Sequence, residues 1–114
     1  PETEGMWNSA RFKLMKPTSF FISIGRGKTT KLEDLTSAIE SGEIAGCGLD
    51  VFETEPLPAD HRLWKQPNVI LTPHIAVKDA DNLPERRYQV ILENARRFVK
   101  GEPLMNVVDK ANWY

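Results

Sequence analysis

Ser19-Phe20-Phe21-Ile22-Ser23-Ile24, closed by Gly25-Arg26-Gly27, is the stretch on which the fold turns. A short run of aromatic and β-branched residues bounded by glycines has the character of a strand buried in a parallel sheet. The period then changes. Leu32, Leu35, Ala38 and Ile39 recur at helical spacing, Thr30 stands where a cap would, with Glu33 three residues on, and Gly42 stops the pattern. Two further strand-like runs follow, Gly46-Cys47-Gly48-Leu49-Asp50-Val51-Phe52 and Asn68-Val69-Ile70-Leu71-Thr72. Pro73 halts the second, and Pro56 and Pro58 open the loop between them. Strands separated by a helix or a long connection are not hairpin partners, so the pattern predicts an α/β fold with a parallel sheet and right-handed crossovers.

Outward from this centre, Ser9 to Met15 reads as a short helix with Ser9 as cap and Pro17 as its end. Downstream, Leu83 to Lys100 carries the longest helical stripe: Tyr88, Ile91, Leu92, Ala95, Phe98 and Val99. Pro84 suits its first turn and Gly101 ends it. A polar joint, Lys78 to Asn82, precedes this helix. The apolar tail Leu104 to Val108, with Trp113 and Tyr114 beyond it, is expected to dock on a surface.

A chain of 114 residues with 40% hydrophobic content supports one modest core. Fifteen basic residues against 16 acidic ones, a net charge of -1, supply no field that would gather nucleic-acid phosphates or a membrane surface. Neither partner is expected. The single cysteine, Cys47, can form no internal disulfide, which makes a reducing cytoplasm the expected compartment. The apolar runs are too short to span a bilayer, and the first residues lack a basic-then-apolar signal pattern. Residue one is Pro1 rather than Met, and the chain reads as a piece of something longer.

Three titratable residues stand just beyond the three strand-like runs: Arg26, Glu55 and His74. Loops at the carboxyl ends of parallel strands converge, and ligands bind in the crevice they form. Taken singly, each has an ordinary reading: Arg26 as a surface cation, Glu55 as one of two solvated loop acids with Glu53, Asp50 as a turn cap, His74 as a structural histidine. His61 reads as loop surface and Cys47 as a small buried hydrophobe. Gly25-Arg26-Gly27-Lys28-Thr29-Thr30 hints at a phosphate loop between strand and helix. The full motif needs a glycine five positions before Gly27, where Ile22 stands inside the strand.

Taken together, Met15-Lys16-Pro17, Ser23-Ile24-Gly25-Arg26-Gly27, Leu49-Asp50-Val51-Phe52-Glu53-Thr54-Glu55-Pro56-Leu57-Pro58 and Pro67-Asn68-Val69-Ile70-Leu71-Thr72-Pro73-His74-Ile75-Ala76 resemble, in order, the signature blocks of the D-isomer-specific 2-hydroxyacid dehydrogenases. Gly101-Glu102-Pro103-Leu104-Met105-Asn106-Val107-Val108 is similar to that family's closing segment. Several blocks in register weigh far more than one motif. The resemblance implies a partial Rossmann-like sheet of about three parallel strands with flanking helices, then a long C-terminal helix and docked tail. Residues 1–80 would be the second half of a dinucleotide-binding domain. Residues 81–114 would be a crossover helix and tail returning to a substrate domain.

The activity implied is hydride transfer between a nicotinamide cofactor, NAD or NADP, and a D-2-hydroxy acid or its 2-oxo acid, by a homodimer. By the same resemblance, His74 is the acid and base, Glu55 pairs with its imidazolium, and Arg26 grips the substrate carboxylate. Asp50, Ile24 and Gly25 would line the nicotinamide end of the cofactor, and no metal is implied. The chain also departs from the family. It holds no Gly-x-Gly-x-x-Gly turn for the pyrophosphate, Ser23 replaces a typical Asn, Lys28 a typical Gly, and Val77-Lys78-Asp79 a small-residue stretch. The chain alone is therefore expected to be inactive. The alternative is a non-catalytic interaction or dimerisation module built on the same fold.

Overall fold

The computed structural model of the chain describes residues 2–77 and 82–111. Two compact units divide it, Pro1–Ala76 and Val77–Tyr114.

The first unit is built on three parallel strands in the order β1 (Phe20–Ser23), β2 (Gly46–Leu49), β3 (Val69–Leu71). The register aligns Phe21 with Cys47 and Cys47 with Val69, while Ile22, Gly48 and Ile70 form the alternate row. Helix α2 (Leu32–Glu40) connects β1 to β2, and an irregular stretch with a 3-10 turn at Arg62–Lys65 connects β2 to β3. The parallel α/β expectation holds. Each strand is shorter than its apolar run, because the ladder lasts only as long as its neighbour does, and β3 is the shortest.

One face of the sheet makes the core. Phe21, Cys47 and Leu49 pack with Leu32, Leu35, Ala38 and Ile39 of α2 and with Phe12, Ile44, Leu57 and Leu63. Phe12 lies on α1 (Ser9–Phe12), a single turn whose cap is Asn8, not Ser9: the Asn8 carboxamide oxygen accepts from Arg11 N at 3.3 Å. Ser9 instead donates its backbone N–H to Asp34 at 2.9 Å. Trp7, Phe12 and Phe21 meet ring to ring, with centroids 5.0–6.0 Å apart. The other face carries Phe20, Ile22 and Ile70, all exposed.

Helix α2 corrects a second expectation. Thr30 does not cap it: Thr30 is buried, bridges Trp7 in a short parallel pairing, and its hydroxyl has no partner. The carboxylate of Glu53 takes the capping place, accepting from Leu32 N at 2.6 Å across a gap of 21 residues. A negative charge at that end also suits the helix dipole. Gly42, at φ +73°, ends the helix in the left-handed conformation glycine adopts readily.

The second unit is α3 (Leu83–Lys100) and its tail. The helix has the expected bounds, with Pro84 in its first turn and Gly101 at φ +69° as its stop. The tail doubles back onto α3: Met105 N donates to the Asn94 side chain at 2.7 Å, Asn94 returns a bond to Met105 O at 3.2 Å, and Arg97 reaches Pro103 O at 3.1 Å. Leu104, Val107 and Val108 stay exposed, so polar groups hold the tail. Trp113, Tyr114 and most of the joint at Lys78 to Asn82 lie outside the described residues. Among the described residues, no helix is long and apolar enough to cross a membrane.

Candidate active site

The loops that leave β1, β2 and β3 carry Arg26, Glu55 and His74 respectively, as the order of the elements requires. Two of the three meet directly. His74 Nδ1 lies 2.7 Å from one oxygen of Glu55, and the other oxygen of Glu55 accepts from Phe52 N at 3.0 Å. With one oxygen fixed by backbone, the carboxylate cannot swing away without losing a bond. The hydrogen bond to His74, then that from Phe52, hold the Glu55 carboxyl below the usual carboxylate range. Glu55 fixes the ring through Nδ1, which leaves Nε2 as the nitrogen able to meet a reacting oxygen.

His74 sits at φ 55°, a left-handed backbone that non-glycine residues seldom adopt. Its N–H bonds Thr72 O at 3.1 Å around Pro73, a tight three-residue turn. Asp50, at the end of β2, reaches across this turn. Asp50 Oδ1 accepts from the Thr72 hydroxyl at 2.6 Å and from Ile75 N at 2.8 Å, and Oδ2 accepts from Ala76 N at 2.9 Å. Asp50 is buried. The Thr72 hydroxyl above all, with the two backbone N–H groups, lowers its pKa against the opposing pull of burial.

Arg26 is exposed, with Nη1 donating to the neighbouring Gly25 O at 2.9 Å. Its loop lies against the loop that holds Glu55: a Cβ on Gly27 would fall 1.8 Å from Phe52 O. Only glycine allows that approach. Ile24 is exposed and Gly25 faces open space. Lys28 falls within a 3-10 turn at Gly27–Thr29, with no loop long enough to wrap a phosphate chain. His61 turns out to cap the 3-10 turn at Arg62–Lys65, its Nδ1 accepting from Leu63 N at 3.2 Å, and Cys47 is buried in the core.

A cleft of about 470 Å³ opens beside the dyad, walled by Phe52, Leu57, Trp64 and Leu71 together with Glu55 and His74 themselves. Sequence reasoning missed Trp64 here and Thr72 on Asp50. A Thr beside a strand end is the kind of residue that bonds locally, but its partner 22 residues away is set by the sheet. The residues present fit the nicotinamide end of a dinucleotide. Gly25 leaves room beside the mouth, and Asp50 Oδ2, with a single bond, can accept one more. Among the described residues, no turn fits the pyrophosphate. Among the described residues, no group of three or more His, Cys, Asp or Glu could hold a metal.

Comparison with known proteins identifies the family. The family described as D-isomer specific 2-hydroxyacid dehydrogenase, NAD binding domain, matches residues 1–76. The chain is 43% identical over 109 residues to a glyoxylate/hydroxypyruvate reductase A of Photorhabdus laumondii, covering 96% of this chain and 34% of that protein. It thus spans about a third of the length of the curated relatives it matches. Among solved structures, a D-isomer specific 2-hydroxyacid dehydrogenase from Xanthobacter autotrophicus Py2, in complex with NADPH, superposes with a TM-score of 0.89 at 40% identity over 100% of this chain and 46% of that one. An NADPH-dependent glyoxylate/hydroxypyruvate reductase from Sinorhizobium meliloti, in complex with NADP, gives 0.87 at 36% identity over 100% of this chain and 37% of that one. With the parallel sheet and a family match over residues 1–76, this chain belongs to the D-isomer-specific 2-hydroxyacid dehydrogenase family.

Proposed function

We propose that this chain supplies the acid/base half of a nicotinamide-dependent reductase acting on a small 2-oxo acid, within a homodimeric protein that also provides the phosphate-binding half. The observation that carries the reading is the 2.7 Å pairing of His74 with a Glu55 carboxylate itself anchored to backbone. When bound, the nicotinamide supplies the hydride. His74 Nε2 delivers a proton to the oxygen that becomes the alcohol, and takes it back in the reverse direction. Glu55 holds the ring and balances its charge as the proton comes and goes. Arg26, free to swing from Gly25 O, offers two parallel N–H donors to the substrate carboxylate. Ile24, Gly25 and Asp50 border the nicotinamide.

The relatives' names favour glyoxylate or hydroxypyruvate as substrate, and the NADPH and NADP complexes make NADPH the cofactor to assay first. The test is a chimera in which residues 1–114 replace the matching third of the Photorhabdus laumondii reductase. The chimera should reduce glyoxylate with NADPH, and His74→Ala within it should lower kcat by about 10²–10⁴-fold. The chain alone should show neither turnover nor tight NADPH binding. Undiminished turnover in the His74→Ala chimera defeats the assignment.

A further inference from the structure

Among the described residues, the segment after β3 has few backbone tethers. Thr72 N still bonds Leu49 O at 2.9 Å, and His74 N bonds only within its own turn, to Thr72 O. Beyond Thr72, Ile75 N and Ala76 N donate to the two oxygens of one side chain, Asp50. The bonds of that carboxylate fall on residues 72, 75 and 76, on either side of residue 74. They close a bracket around His74, whose backbone is left-handed. Asp50 is itself fixed, since its N–H donates to Ser23 O at 2.9 Å, and it is buried where water would be a poor substitute for a lost bond.

We infer that Asp50 is the positioning residue of the dyad: its carboxylate holds the left-handed turn at His74 and so delivers the imidazole to Glu55. This rests on the acid/base reading of His74 but makes a claim of its own, because a contact to the cofactor would not require bonds to three groups of the His74 loop. Any cofactor contact by Asp50 would use the site left on Oδ2. Asp50→Asn is the revealing change. It keeps shape and volume, yet its amide donors must face at least one of the N–H groups that the carboxylate accepted.

The experiment is solution NMR on the full chain, without cofactor, comparing wild type, Asp50→Asn and Thr72→Val. In Asp50→Asn, protection of the Ile75 and Ala76 amides from exchange should fall by about tenfold or more. The couplings that report φ at His74 should leave their left-handed values, and the proton shared by His74 Nδ1 and Glu55 should disappear. The amides of β1 and β2 should stay protected. Thr72→Val removes one of the three bonds and should give the same changes in weaker form.

Retention of the His74 backbone conformation and the shared proton in Asp50→Asn overturns the proposal. So does uniform loss of protection across the core in that variant if Thr72→Val leaves His74 unmoved. In the chimera, Asp50→Asn should lower kcat more than it raises the KM for NADPH. A rise in that KM alone would return Asp50 to a pure cofactor contact. Because the NMR readouts need no turnover, they stand or fall independently of the assigned reaction.

Discussion

Along β1, neighbouring side chains of the same kind meet opposite surroundings. Phe21 is 6% exposed and Phe20 63%, and Ile22 on the same side as Phe20 is 73% exposed. On the first face, the row of Phe21, Cys47 and Leu49 is sealed by α2 and α1. On the second, Phe20, Ile22 and Ile70 flank the glycines Gly46 and Gly48, with no helix over them among the described residues of this unit. Parallel sheets are ordinarily covered on both faces, and the residue types on the bare side are those that such sheets bury. Composition therefore records the environment a strand is suited to, while burial records the one it has. Stability of the isolated chain should come from one face alone.

That contrast can be broken by experiment. Leu35, fully buried on the sealed side, should cost about 2–5 kcal/mol on truncation to Ala, measured by urea unfolding. Ile22→Thr, on the bare side, should stay within about 0.5 kcal/mol and raise solubility, since it removes exposed apolar surface without leaving a cavity. Equal costs would mean that something covers Phe20, Ile22 and Ile70 in solution.

Between these extremes stands Gly27→Ala, expected to cost about 1–3 kcal/mol because the new methyl must displace the backbone of Phe52. It should also disturb the His74–Glu55 pair, which Leu35→Ala should not.

The smallest effect concerns the carboxyl ends of the strands, where polar groups replace apolar cover. Asp50 and Glu55 both titrate lower in the folded chain than when unfolded. Their contribution is thus complete above about pH 4.3, the unfolded value for Glu, and is lost as pH falls through the depressed folded values. Glu55→Gln should flatten the acid limb of a stability-against-pH curve by lowering stability above about pH 4.3, with little change in acid, where the wild-type carboxyl is already protonated. An unchanged acid limb would mean that the dyad adds nothing to folding.

Much of this is legible in the sequence. Helix α3 declared both ends, through Pro84 and Gly101, because its signals are local. The three strands were legible as apolar runs, but their lengths were not: how far Gly46 to Phe52 stays in the ladder depends on β3, which ends at Leu71. Local pattern puts the cap of α2 on Thr30 for the same reason, since the group that serves, Glu53, comes from the loop after β2. At the site, the roles given to Arg26, Glu55 and His74 came from resemblance, while local pattern alone offered bland readings for each. Thr72 and the left-handed turn at His74 were invisible because both depend on Asp50 arriving from another strand.

Cys47 adds a practical consequence. Packed in the core and 3% exposed, with burial pushing its thiol up to about 12, it carries almost no thiolate at neutral pH. An alkylating reagent can reach it only when the middle strand parts from its helix. The rate of labelling is thus a stopwatch for opening of the sheet, built into the chain without any added probe.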